Sequence, residues 1–143
     1  MALAIIIAIV LALTALGKIF YPLDSLKILD RIVAVFEIFL LFLIFFLRNK
    51  WGVWLAAAII FSAWMGFSLF WESLKLPCSC MGSMIRVPTF FSILLDLLFF
   101  FSSLMIAYLL NANRQWIYLS VLGSFLACLV GYAFAEWIYQ IAI

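Results

Sequence analysis

The sequence predicts an all-α integral membrane protein, a compact bundle of four to five transmembrane helices, and three observations lead to that fold class. Of the 143 residues, 71% are hydrophobic and 10% charged, against roughly 25% charged in an ordinary globular domain. Apolar runs of about 20 residues, the length that crosses about 30 Å of hydrocarbon, recur along the chain. Short polar connections separate them. Inside a bilayer the backbone must satisfy its own hydrogen bonds, so runs of this kind are helices. One domain, 1–143, is expected, with a Cys-containing loop at 72–88.

The first run is Ala2 to Tyr21. No positively charged segment precedes it and other spans follow, so it reads as a retained span rather than a cleaved leader. Pro22, Asp24, Ser25, Lys27 and Asp30 make the first connection, where Asp24 or Ser25 is suited to cap the next helix. The second run, Ile28 to Leu47, is the weakest because Glu37 interrupts it. Arg31 and Arg48 bracket it as anchors whose long side chains reach water. Trp51 to Trp71, Thr89 to Leu110 and Trp116 to Ile143 complete the set. Two tight turns, Arg48-Asn49-Lys50 and Asn111 to Gln115, put helices two and three, and four and five, antiparallel and adjacent. Small residues at four-residue spacing permit close backbone approach between membrane helices. Three stripes have that spacing: Ala4-Ala8-Ala12, Ala58-Ser62-Gly66 and Gly123-Ala127-Gly131-Ala135.

Threading five spans puts the first connection, the Cys loop and the C-terminus on one side of the membrane. Measured from that side, Glu37 and Asp96 each lie roughly 10 Å deep at about 1.5 Å per residue. Lys18 leaves the first helix on the same side, and Glu136 reaches it beside Trp137 and Tyr139. An intramembrane carboxylate costs about 2.5 to 3.5 kcal/mol on insertion scales. Glu37 and Asp96 are therefore expected to face the bundle interior, paired with Lys18 or Arg86 or protonated. Such groups serve as helix-locking ion contacts, a proton relay or a substrate contact.

Histidine is absent, which removes the commonest metal ligand, the usual haem ligand and the ordinary neutral-pH base. Ser-His-Asp hydrolysis is excluded with it. A net charge of +2 without a basic cluster gives no footprint for nucleic acid. Charge leaves the orientation open, since Lys18, Lys27, Arg31, Lys75 and Arg86 stand on the Cys-loop side against Arg48, Lys50 and Arg114 opposite.

Pro77-Cys78-Ser79-Cys80-Met81-Gly82 is where chemistry concentrates. Two cysteines one residue apart bridge only if the backbone tightens, because their Cα atoms must come within about 4.4 to 6.8 Å. The resulting strain suits a disulfide that oxidises or isomerises a partner rather than one that braces a fold. Pro77 restricts the entry and Gly82 supplies freedom at the exit, while Lys75 and Arg86 favour the reactive thiolate. A second reading is a soft-metal site, since Cys78, Cys80, Met81 and Met84 are the ligand types that select monovalent copper. Zinc fits less well without histidine. Cys128, in the middle of the last run on the face of Ser120 and Ser124, reads as a packing residue.

The segment Cys78-Ser79-Cys80-Met81-Gly82 resembles the Cys-Gly-Cys-Phe-Gly signature of the MauE and DoxX-like family of redox-associated membrane proteins. Thr14-Ala15-Leu16-Gly17-Lys18 is similar to that family's first-helix ending, and Glu37 falls where its second helix often carries a Glu. Met81 and Ser79 depart from the signature, and Leu95-Asp96 stands where the family often has an Arg followed by Asn or Asp. The resemblance implies a helper in thiol-disulfide chemistry working with a thioredoxin-like protein or a client thiol protein. The redox reading in turn expects a bacterial inner membrane with the Cys loop on the periplasmic or extracytoplasmic side. A quinone-coupled version resembling vitamin K epoxide reductase would use Trp64, Phe67 and Trp71 as an aromatic pocket below the loop. A third expectation is a subunit without chemistry, held in a homo-oligomer or membrane complex by its small-residue stripes.

Overall fold

The computed structural model describes residues 2–20, 27–75 and 88–142, and all the regular structure in them is helical. Five helices follow in order: α1 (Ala2–Phe20), α2 (Lys27–Leu47), α3 (Trp51–Ser73), α4 (Thr89–Leu109) and α5 (Arg114–Ala142). The chain is thus an all-α membrane protein. Among the described residues α3, α4 and α5 are long and apolar enough to cross a bilayer, and α1 contributes a shorter apolar helix, Ala4–Phe20. The 21-residue α2 has the length but carries Lys27, Asp30, Arg31 and Glu37, which sets it apart from the other four.

Helix ends follow local chemistry. At the end of α4, Asn111 takes a left-handed φ of 62°, which asparagine tolerates better than most residues. Ala112 then donates its N–H back to Ala107 O at 3.1 Å, closing the last turn. Asn113 caps α5 by accepting the Gln115 N–H on its Oδ1 at 3.2 Å. At the start of α3, Trp54 Nε1 donates to Arg48 O at 2.8 Å and fastens the preceding turn to the helix.

α3 is the centre of the bundle, packing closely against α4 on one side and α5 on the other, while α1 packs chiefly on α2. The tight turns do not make their flanking helices the main partners, because α2 with α3 and α4 with α5 touch only lightly. A short turn fixes how far apart two helix ends lie, not which faces meet along the axes. The small residues decide that. A Cβ added at Gly66 would fall 1.9 Å from Cys128 O, and one at Gly131 would fall 2.0 Å from Ala63 O. Only glycine permits such backbone approach, so the α3 stripe and the α5 stripe are spent on each other. Ser62 Oγ donates to Ser124 O at 2.7 Å and Ser120 Oγ to Leu55 O at 3.3 Å across the same contact. The Ala4-Ala8-Ala12 stripe is only partly buried, and α1 turns Ile7, Leu11 and Ala15 inward instead.

Large side chains fill the remaining interior. Ile7 and Leu11 of α1, Leu40 and Ile44 of α2, Trp54 and Phe61 of α3 and Phe99 of α4 form one continuous cluster. Phe61 and Phe99 pack with tilted rings at 5.2 Å between centroids, and Trp64 meets Phe61 edge-on at 5.5 Å. The outer surfaces are apolar: Phe36, Phe39, Phe42 and Phe45 on α2 and Leu122, Phe125, Leu129 and Val130 on α5 are all exposed. In a bilayer that surface meets lipid.

Candidate functional site

The ionisable groups of the bundle interior come from three different helices and meet near one end. Lys18 lies in the last turn of α1, Glu37 near the middle of α2, and Asp96 two turns into α4. Lys18 and Glu37 are 6% and 4% exposed. Lys18 Nζ donates to Glu37 Oε1 at 2.5 Å, a buried ion pair that ties α1 to α2. A carboxylate and an ammonium withdrawn from water require such a partner, since either alone would be an uncompensated charge in a low-dielectric medium.

The second oxygen of Glu37 is different. Oε2 is buried and finds no donor among the described residues. Thr14 stands beside the same carboxyl, but its Oγ1 donates to Leu11 O at 3.0 Å. A hydroxyl has one proton to give. Among the described residues the acceptor capacity of Oε2 is therefore unused.

Asp96 of α4, half-buried, lies near this pair without touching it in any recorded contact. It accepts a long hydrogen bond, 3.5 Å, from Ser68 Oγ of α3 on its Oδ2, and it lies within the electrostatic reach of both Lys18 and Glu37. Ser68 and Ser92 hydroxyls are 3.2 Å apart, either able to donate. Ser92 sits one helical turn before Asp96 on the same face of α4. Sequence reasoning did not single out Ser68 or Ser92; the spacing of Ser92 to Asp96 was the available signal. Asp30, seven residues before Glu37, is also buried and adds its negative charge to the field at Glu37.

Cys78, Cys80, Met81, Met84 and Arg86 lie outside the described residues. The described chain leaves α3 at Lys75, in a left-handed conformation with φ 54°, and resumes at Pro88 before α4. Glu136 is exposed on α5 and takes no part in the cluster. Its neighbour Ala135 faces inward, so one residue further round the helix points outward.

Comparison with known proteins adds no relative. A scan against protein-family models, a search of curated proteins and a search of solved structures each found no match.

The aromatics at the same end of α3 are engaged in packing. Phe67 lies 6.0 Å from Trp71, Trp71 meets Tyr139 of α5 at 6.1 Å, and Phe70 meets Tyr132 and Tyr139 at 5.4 and 5.8 Å. Trp64 packs against the central cluster. Cys128 is half-buried, with its backbone carbonyl against Gly66. A shallow depression of about 450 Å³ opens at the other end of the bundle, lined by Tyr108, Asn111 and Arg114 among others. It is remote in the chain from the Lys18, Glu37 and Asp96 cluster. Among the described residues no group of three His, Cys, Asp or Glu side chains is arranged to hold a metal ion.

Proposed function

We propose that the protein exchanges thiols and disulfides at the membrane surface, with Cys78 and Cys80 as the reacting pair. One observation carries this reading. The bundle concentrates its costly membrane-embedded ionisable groups, the buried Lys18–Glu37 pair and the half-buried Asp96, toward the end where the chain leaves α3 and re-enters α4. The interval between those two points contains both cysteines. Polar groups inside a membrane bundle are a marker of function. The resemblance of Cys78-Ser79-Cys80-Met81-Gly82 to the MauE and DoxX-like signature points to the same chemistry.

In the oxidising direction a client thiolate attacks one sulfur of the Cys78–Cys80 disulfide and forms a mixed disulfide. A second client thiolate resolves it. Two electrons and two protons pass from the client dithiol to the pair, which is left as two thiols. A bilayer quinone, taking up two electrons and two protons to become a quinol, is the class of acceptor that would restore the disulfide. The client is a thioredoxin-like protein or a protein with maturing disulfides, and the matching location is the extracytoplasmic face of a bacterial inner membrane.

Differential alkylation in native membranes tests the reading. Thiols are blocked before and after a reductant, and the mass shift is read on the wild type and on a Cys78→Ser, Cys80→Ser variant. The expected result is two additional alkylated thiols after reduction, absent in the variant. Two thiols that stay unreactive in both conditions would end the redox reading.

A further inference from the structure

Among the described residues, the charges around Glu37 and Asp96 do not balance. One ammonium, Lys18, is paired with Glu37 and also lies within electrostatic reach of a second carboxyl, Asp96. No other cation is recorded in contact with Glu37 or Asp96 among the described residues; α3 brings the Ser68 hydroxyl to Asp96, and Ser92 of α4 adjoins Ser68. A net negative charge held between apolar helices is strongly disfavoured, and two carboxylates near one another resolve the conflict by retaining a proton. The orphaned Glu37 Oε2 is the second observation. It is an acceptor, on a side chain only 4% exposed, for which the described residues provide no donor.

We propose that Lys18, Glu37 and Asp96 form a binding site for one exchangeable proton. In one state Lys18 pairs with Glu37, as observed, and the proton resides on Asp96. In the other Lys18 turns to Asp96 and the proton resides on Glu37. The cluster counts one positive charge, one negative charge and one neutral carboxyl in both states, so the proton and the ammonium exchange partners without leaving net charge behind. Access is one-sided. From the end where α1 finishes and α4 begins, Thr89, Ser92 and Asp96 make a polar line along α4. Beyond Asp96 that line meets the buried Phe99, packed against the buried Phe61. Protons therefore enter and leave from the end of the bundle nearest the cysteine interval.

Infrared spectroscopy of the full chain in vesicles of phosphatidylcholine and phosphatidylglycerol reads this directly, since a protonated carboxyl has a C=O band that a carboxylate lacks. At neutral pH the wild type should show one such band that shifts in heavy water. Asp96→Asn should abolish it by leaving Lys18 and Glu37 as a neutral pair, whereas Asp30→Asn should retain it. Lys18→Met should about double it, because both carboxyls must then be neutral. Should Lys18→Met fail to fold, Asp96→Asn and Asp30→Asn still decide. No protonated-carboxyl band in the wild type, a band unchanged in Asp96→Asn, or one that disappears with Asp30→Asn would each overturn the assignment. The readout concerns carboxyls alone, so it stands or falls separately from the dithiol.

Discussion

Lys18 and Glu37 show what a buried pair demands of its neighbours. Removing one partner leaves the other as an unmatched charge, which typically costs about 3 to 5 kcal/mol, whereas replacing both by apolar side chains of similar size is often neutral. Glu37→Leu should therefore be strongly destabilising in reversible unfolding from mixed micelles, and Lys18→Met with Glu37→Leu should recover most of the loss. Equal, mild effects of the single and double changes would show that the pair is solvated. Ser68→Ala should cost far less, since interhelical side-chain hydrogen bonds in membranes average about 0.6 kcal/mol. The depth of Glu37 and Asp96 was legible from the helical rise alone. The choice of Glu37 rather than Asp96 as the observed partner of Lys18 was not, because it depends on α1 packing against α2. That Glu136 points away from the cluster could not be read either, because depth along a helix says nothing of phase around it.

The glycines of α3 and α5 are not equivalent, and the differences make a graded test. Gly66→Ala and Gly131→Ala place a methyl within about 2 Å of a backbone carbonyl and must push the two helices apart. Overpacking of this kind costs about 1 to 3 kcal/mol. Gly123→Ala meets only the Ile59 side chain at 3.6 Å, and a Cβ at Gly52 meets nothing within 4 Å. These two should be tolerated, with Gly52→Ala gaining up to about 1 kcal/mol from helix propensity. Unfolding midpoints of the four variants check the order, and a mild Gly66→Ala would argue against the close α3–α5 contact. Small-residue spacing announced two of these faces. That they face each other, rather than an outside partner, required the structure, since hydropathy is alike for all neighbours in a bundle.

For the whole molecule, the alternating helices fix which connections share a side. Single cysteines introduced at Asn49 and Asn113, in a chain lacking the native three, should react with an impermeant thiol reagent from the same side of sealed membranes. A cysteine at Lys75 should react only from the opposite side. Labelling of all three from one side would refute the threading. The helical class and the helix boundaries could be read from run length and polar interruption. The arrangement around α3 could not, because turn lengths of a few residues allow more than one packing order.

Two of the contacts that hold the bundle together differ in kind. Backbone lies against backbone between α3 and α5, whereas bulky side chains and one shared electrostatic field join the α1–α2 pair to α3 and α4. The first joint is rigid, for glycine leaves nothing to rearrange. The second is a seam of rotatable side chains, and its polar end is crossed by charge. Any change in the charge of Asp96 alters the attraction across that seam while leaving the α3–α5 joint untouched. The molecule is thus divided into a fixed part and a part whose adhesion is adjustable.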